Sequence, residues 1–434
     1  MINAQQHVQA LLDFIDASPS PWHAVKSVES QLKVFSFLKL DETAAWDLKA
    51  GGRYYVIRDD SSIVLFVQGQ NSLVETGFKL VGAHTDSPGF RIKPNPITAV
   101  DGLFRLGVEV YGGPIIATFA DRDLSLAGRV NYKDADNNIV STLIKFDEVL
   151  LRLPNLAIHM NRTVNEEGLK LNKQMELPLI LSTAIQDALP AEYFATLLQD
   201  KLGCGLDKIL SWDLAVYDTQ KGVFWGAEQE FYADSQLDNL ASCHAAIQAL
   251  LDERVLNSES TLVCAFFDHE EIGSGSNRGA DGSFLGDVLQ RIAVTNGYTP
   301  EEYARALAKS FLISADMAHA YQPSFPLAYE PDHKVIVNKG PVIKVNASHR
   351  YSTESISQAQ FIDWCAQAEV PYQTYSHRSD LACGSTIGPI TSAKLGVRSI
   401  DVGNPLWAMH SIRESAGVLD HQYMIKVLRQ FFIS

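Results

Sequence analysis

Residues 261–274, TLVCAFFDHEEIGS, join an apolar segment directly to a cluster of ionisable side chains. The apolar residues 261–267 predict a short buried strand of a parallel sheet. Adjacent carboxylates at the end of such a strand, Glu270 and Glu271, repel each other, and burial raises their pKa unless a cation lies beside them. A metal ion held by one carboxylate would leave the other to accept a proton from water. The alternative is a pair of glutamates on a solvated loop.

The composition is that of an ordinary globular protein, with roughly two or three domains. Of 434 residues, 46% are hydrophobic and 20% are charged, and the formal net charge is −15. An acidic surface without a basic patch argues against nucleic acid and anionic membranes as partners. Residues 1–16 have an amphipathic helix pattern rather than that of a signal peptide, and no segment resembles a membrane span.

The cysteines predict a reduced, cytoplasmic protein. Five are present, an odd number, and they lack Cys-x-x-Cys spacing. They are Cys204, Cys243, Cys264, Cys365 and Cys383. We expect most of them to be small buried hydrophobic residues, so a cysteine-ligated metal is not expected.

Strands and helices alternate on both sides of a segment with a different character. Residues 93–232 contain proline-rich loops and consecutive short strands, with turns at 112–113 and 121–123. We predict an inserted β-rich domain over 93–232 and a catalytic domain over 1–92 plus 233–434. The catalytic domain is expected to be α/β, with a mixed, largely parallel sheet sandwiched by helices. The elements predicted in it are helices within 3–36 and over 237–253, 355–368 and 419–432, a hairpin over 52–69, and strands over 78–84, 261–267, 311–315, 342–346 and 397–402.

Ionisable residues follow the ends of four predicted strands, and one more opens a helix. They are His84, Asp86, Asp238, Glu270, Glu271, Asp316 and His410. The carboxyl ends of strands in a doubly wound sheet converge on one crevice, so these side chains are expected to meet. Two histidines with three carboxylates suit a pair of zinc ions, with cobalt or manganese as alternatives. Asp86 is placed to accept the second ring N–H of His84.

The same segments resemble the aspartyl aminopeptidases, peptidase family M18, over nearly the whole chain. Several motifs recur in one order. They are SPSPWHAV (18–25), GAHTDSP (82–88), LPNLAIHMNR (153–162), LDNLAS (237–242), DHEEIGS (268–274), SADMAHA (314–320), NKGPVIKVN (338–346), CGSTIGP (383–389) and AMHSIRES (408–415).

The resemblance implies a dinuclear metal centre in which Asp238 bridges the two ions. His84 and Asp316 would complete one ligand shell, and Glu271 and His410 the other. The general base would be Glu270, with Asp86 orienting His84. The resemblance also implies that the inserted domain mediates dimerisation and that dimers assemble into tetrahedral dodecamers.

Two further residues follow from the resemblance. His159 would reach a neighbouring subunit's active site and stabilise the oxyanion; the alternatives are a direct metal ligand or a core histidine on an apolar strand. Lys344, in the apolar segment PVIKV, would pair with the substrate's side-chain carboxylate. His319, His349 and His377 are not distinguished by spacing from surface histidines.

The expected activity is removal of one residue from peptides with a free N-terminus, with a preference for Asp or Glu. One alternative is a di-metal deacylase or carboxypeptidase with the same ligand order, which assays of blocked against free peptides would separate. Another is a broad-specificity aminopeptidase of the same fold. A third is a binding scaffold with a vestigial site, which would show no hydrolysis after loading with metal.

Overall fold

The computed structural model describes residues 3–183, 189–203 and 208–434, and the chain forms two compact units. Unit one comprises residues 1–86, 222–409 and 414–434, and unit two comprises 87–221 and 410–413. Over the described ranges, no helix combines the length and apolar character needed to cross a membrane.

In chain order, the strands of the described residues are β1 (Leu38–Lys39), β2 (Arg53–Arg58), β3 (Ser62–Val67), β4 (Phe78–His84), β5 (Gly89–Val100), β6 (Leu103–Tyr111), β7 (Leu124–Lys133), β8 (Ile139–Lys145), β9 (Leu179–Thr183), β10 (Ile209–Asp218), β11 (Val223–Trp225), β12 (Phe231–Asp234), β13 (Thr261–Phe267), β14 (Phe311–Ala315), β15 (Ala318–His319), β16 (Val342–Val345), β17 (Gln373–Ser376), β18 (Arg398–Gly403), β19 (Pro405–Trp407) and β20 (Glu414–Gly417).

The α-helices of the same residues are α1 (Ala4–Asp16), α2 (Pro21–Val34), α3 (Leu73–Thr76), α4 (Val164–Glu167), α5 (Pro190–Leu202), α6 (Leu237–Leu250), α7 (Phe284–Thr295), α8 (Pro300–Lys309), α9 (Ser355–Gln367), α10 (Ile387–Leu395) and α11 (Val418–Ile433).

Unit one is built on a mixed, largely parallel sheet in the order β1-β2-β3-β13-β4-β14-β18-β16-β17. Both faces are buried at its central strands β3, β13, β4 and β14, so these strands consist mainly of apolar residues. In β3, Ile63 and Leu65 pack with α1, α2, α6 and α11 on one face, whereas Val64 and Phe66 pack with α7 and α8 on the other. A smaller sheet in the same unit has the order β11-β12-β20-β19-β15. The prediction of an α/β fold is confirmed.

The strongest sequence patterns predicted their elements correctly. The strands over 78–84, 261–267 and 311–315 have the predicted limits. The helix predicted over 237–253 ends at Leu250, and Asp238 at its start has non-helical angles of φ −83° and ψ 102°. The prediction missed β17 and α10.

Unit two contains a sheet in the order β8-β7-β10-β5-β6-β9, and all of its described strand pairs are antiparallel. This is the β-rich character predicted for the insertion. The unit extends over 87–221 rather than 93–232, and it also includes 410–413. Residues 410–413 belong to this unit because the side chain of Ile412 is buried in the same core as Phe90 and Leu214.

The cysteine prediction applies to four residues of the described chain. Cys243, Cys264 and Cys365 are buried free thiols, and Cys383 is partly exposed. Cys204 lies outside the described residues.

A buried histidine pair joins α6 to α11 in unit one. His244 Nδ1 lies 2.8 Å from His421 Nε2, and both side chains are almost fully buried. Burial lowers the pKa of His244 to about 3 and also lowers the pKa of His421 well below its usual value. Both imidazoles are therefore neutral in the folded protein at neutral pH.

Acidification is expected to destabilise unit one through this pair. The unfolded chain protonates both residues near pH 6.5 and the folded chain does not, so the free energy of unfolding falls as the pH drops below that value. Each histidine contributes a slope of about 1.4 kcal/mol per pH unit. Thermal melts between pH 7.5 and 5 should show a shallower pH dependence in His244→Leu/His421→Leu than in the parent chain. The control His333→Gln, at a partly exposed surface histidine, should melt with the parent's pH dependence. An unchanged slope in the double variant would contradict the assignment.

Candidate active site

Three parallel strands place the first candidate residues at one edge of the large sheet. In the pairing of β4 with β13, His84 is the partner of Phe267. In the pairing of β4 with β14, Gly82 is the partner of Ser314, so Asp316 follows β14 at the level where His84 ends β4. This register brings together residues that are more than 200 positions apart.

His84 lies at the centre of the resulting cluster, and its side chain is 1% exposed. Its Nε2 lies 3.4 Å from Oδ1 of Asp238 and 3.8 Å from Oδ1 of Asp316. The same nitrogen lies 3.9 Å from Oε2 of Glu270. Three of the predicted carboxylates therefore converge on one ring nitrogen of His84.

The main chain fixes the orientation of the imidazole. Nδ1 of His84 lies 3.0 Å from the main-chain oxygen of Asp86 and 3.4 Å from that residue's carboxylate. The carboxylate accepts the backbone N–H groups of Glu270 and Glu271, each at 3.1 Å. Asp86 therefore holds the turn that carries the two glutamates, as well as lying beside the histidine ring.

The carboxylates strongly perturb the protonation of this cluster. Burial by itself would lower the pKa of His84, but hydrogen bonds to Asp238, Asp316 and Asp86 raise it well above its usual value. Burial also raises the pKa of Glu270 well above its usual range; Asp316 and Glu271 add to this effect, and His84 opposes it. Such a concentration of buried carboxylates requires positive charge nearby.

The donor atoms fit a divalent metal ion. Ligand atoms of His84, Asp238 and Asp316 lie within 4.8 Å of one another, as do those of His84, Glu270 and Glu271. An imidazole nitrogen combined with carboxylate oxygens is a donor set that zinc accepts, and the buried cysteines do not take part.

Two supporting residues were missed by the sequence analysis. The side chain of Glu414 accepts the backbone N–H of Asp238 at 2.9 Å and so positions that residue. Gly403 packs directly on the main chain of Asp316, where an added Cβ would clash with the carbonyl oxygen. Neither produces a recognisable pattern, because each acts on a backbone group distant in sequence.

Lys344 lies at the edge of the carboxylate cluster rather than apart from it. Its Nζ is 3.6 Å from Oδ2 of Asp316 and donates to the main-chain oxygen of Met317 at 2.8 Å. His319, which spacing did not distinguish from surface histidines, is also close to this cluster. Burial, Lys344 and His377 lower the pKa of His319 to about 4.

The last two predicted residues belong to unit two. His410 follows the turn after β19 with φ 69°, and its Nδ1 lies 3.1 Å from the carbonyl oxygen of Gly113. A ring held through Nδ1 would offer Nε2 to a metal ion. His159 is exposed in a turn, so the alternative of a core histidine on an apolar strand is wrong.

The fold and the cluster define a class: hydrolases that use metal-binding carboxylates and histidine at the strand ends of an α/β sheet. A family model described as Aminopeptidase I zinc metalloprotease (M18) matches residues 14–432. The chain belongs to this family of aminopeptidases, which confirms the resemblance and makes the protein a hydrolase.

Relatives and solved structures agree with this assignment. A probable M18 family aminopeptidase 2 of Ectopseudomonas mendocina is 46% identical over 434 residues, covering 99% of each chain. The chain in the cryo-EM structure of the Ape4 and Nbr1 complex is 36% identical, with a TM-score of 0.95 over 99% of this chain and 86% of that one. The S. cerevisiae mApe1 dodecamer is 26% identical, with a TM-score of 0.85 over 98% and 95%.

Substitution of Gly403 tests the packing beneath the cluster. In Gly403→Ala, the clash with the main chain of Asp316 is expected to displace that carboxylate and weaken zinc affinity by about tenfold or more. Competition with a fluorescent chelator measures the affinity. The matched control is Gly286→Ala in α7, where the nearest atom to the added Cβ is 3.7 Å away. Zinc affinity equal to that of the control would refute the role of Gly403.

Proposed function

We propose that this chain is an aminopeptidase that binds two divalent metal ions, zinc first among them. Asp238 would be shared by the two ions, His84 and Asp316 would hold one of them, and Glu271 and His410 would hold the other. The main support for this proposal is that the carboxylates of Asp238, Asp316 and Glu270 converge on Nε2 of His84. The bound ions would supply Lewis acidity to a water molecule and to the scissile carbonyl.

The residues of the chain handle protons and orientation. Glu270 accepts the proton of the attacking water on its carboxylate and returns it to the leaving amine. Asp86 keeps Glu270 in place by accepting its backbone N–H. Because Asp86 also accepts from Glu271, the base and a metal ligand hold a constant relative position.

The proposed substrates are peptides with a free N-terminus and an acidic first residue. Lys344 is the basic side chain among the carboxylates of the cluster, 3% exposed, and its ammonium would pair with the substrate's side-chain carboxylate. The substrate's α-amine would bind near the carboxylate cluster, which restricts cleavage to the first peptide bond.

We further propose that the chain acts as a homo-oligomer in the cytoplasm, with unit two mediating dimerisation. The structural similarity to the S. cerevisiae mApe1 dodecamer supports assembly of dimers into a tetrahedral dodecamer. The exposed turn that carries His159 is available to reach a neighbouring subunit, where the imidazole would stabilise the oxyanion. The alternative is that His159 binds a metal ion directly.

Replacement of the general base separates chemistry from metal binding. Glu270→Gln keeps the size of the side chain but cannot accept the proton, so kcat is expected to fall by about 10²- to 10⁴-fold with bound metal retained. Stopped assays on an Asp-Ala dipeptide and metal analysis by mass spectrometry measure the two quantities. Glu228→Gln, at an exposed glutamate, is the matched control. Unchanged kcat in Glu270→Gln would remove Glu270 from the mechanism.

The preference for acidic residues can be tested at Lys344. Lys344→Leu removes the ammonium, so kcat/KM for peptides beginning with Asp or Glu should fall by roughly 10- to 100-fold more than for peptides beginning with Leu. Rates on four dipeptides that differ only in their first residue provide the comparison. Lys394→Leu, at a partly exposed lysine of α10, is the control. Equal losses on acidic and neutral peptides would refute the role in selectivity.

A further inference from the structure

A cavity of about 760 Å³ lies within unit one. Its wall includes the segments 345–350 and 376–379. The first segment begins at the last residue of β16, and the second begins at the last residue of β17. A volume of this size accommodates a ligand as large as a short peptide.

The cavity begins close to the candidate active site. Val345 in its wall follows Lys344, whose Nζ lies 3.6 Å from Oδ2 of Asp316. The ring of His377, also in the wall, has its centroid 6.4 Å from that of His319, the third residue after Asp316. A peptide held at the cluster could therefore extend into the cavity.

The wall is basic although the protein carries a net charge of −15. Four of its side chains are basic: His349, Arg350, His377 and Arg378. The acidic wall residue, Glu354, caps the first turn of α9, and Arg378 is ion-paired with Asp380. In the part of the chain that the structure describes, the side chains of His349 and Arg350 make no hydrogen bond or ion pair. These two groups are therefore available for an anion.

His377 provides a second, independent observation. Its Nδ1 lies 2.5 Å from the hydroxyl of Tyr375. Its Nε2 is buried and has no hydrogen-bond partner among the described residues. A buried nitrogen without a partner carries a desolvation cost.

The turn that carries His349 and Arg350 is fixed at both ends. Oδ1 of Asn346 accepts the backbone N–H of Ser348 at 2.9 Å. At the other end, the backbone and hydroxyl of Ser352 donate to Asp401 at 2.6 and 2.7 Å. A preorganised turn loses little conformational freedom on binding a ligand.

We propose that this cavity is a carboxylate-binding subsite for the peptide substrate, with Arg350 and His349 contacting the carboxylate. The inference rests on the aminopeptidase function proposed above and extends it to the part of the peptide that follows the scissile bond. The carboxylate can come from a peptide's C-terminus or from an acidic side chain after the first residue. Short acidic peptides are the substrates that such a cavity favours.

Four tripeptide substrates separate these sources: Leu-Ala-Ala amide, Leu-Ala-Ala free acid, Leu-Asp-Ala amide and Asp-Ala-Ala amide. Arg350→Gln is compared with Arg305→Gln, which removes the same charge from the exposed face of α8. Arg350→Gln should lower kcat/KM for the free acid and for Leu-Asp-Ala amide by about 10- to 100-fold, mainly through KM. Cleavage of Leu-Ala-Ala amide should be unchanged, and Arg305→Gln should match the parent on all four.

Other outcomes are also decisive. A loss confined to Asp-Ala-Ala amide would overturn the proposal, because that carboxylate lies before the scissile bond. An equal loss on all four substrates, or no loss on any, would overturn the proposal. If Arg350→Gln lowers kcat/KM on all four substrates and also changes the particle mass measured by light scattering, the proposal is overturned, and Arg350 instead contributes to a contact between subunits. Failure of the parent chain to cleave any of the four would instead refute the proposed function.

Discussion

The parallel pairing of β4 with β13 and β14 is the constraint on which the site in unit one depends. It places His84 opposite Phe267 and brings the start of the Asp316 segment to the same edge of the sheet. A shift of one residue would turn each side chain to the opposite face of the sheet. The buried apolar residues on both faces prevent such a shift, so the packing of the core fixes the geometry of the polar cluster.

The cluster is costly in isolation, because several carboxylates share a space with little access to water. Backbone N–H groups partly compensate at Asp86, and the ammonium of Lys344 lies close to Asp316. These groups stabilise individual oxygens but leave an excess of negative charge. A bound cation would offset this charge, which agrees with the chain's membership of a zinc metalloprotease family.

The sequence predicted the parts of the fold in which apolar runs end abruptly at charged residues. The limits of β4, β13 and β14 were predicted for this reason. The strand β17 was missed because its residues QTYS contain no apolar run, and α10 was missed because IGPITSAKL includes glycine and proline. Gly403 and Glu414 could not be found from spacing, since their effect on Asp316 and Asp238 exists only after folding. Likewise, the assignment of 410–413 to unit two depends on the burial of Ile412.

The order of strands in the large sheet has a consequence for biosynthesis. The neighbours of β4 on either side, β13 and β14, are translated only after the whole of residues 87–221. During this interval β4 remains on the nascent chain with unpaired backbone groups, which favour contact with other chains. Most of unit two has by then left the ribosome and can fold first. The central sheet closes later still, when β18 emerges and enters between β14 and β16.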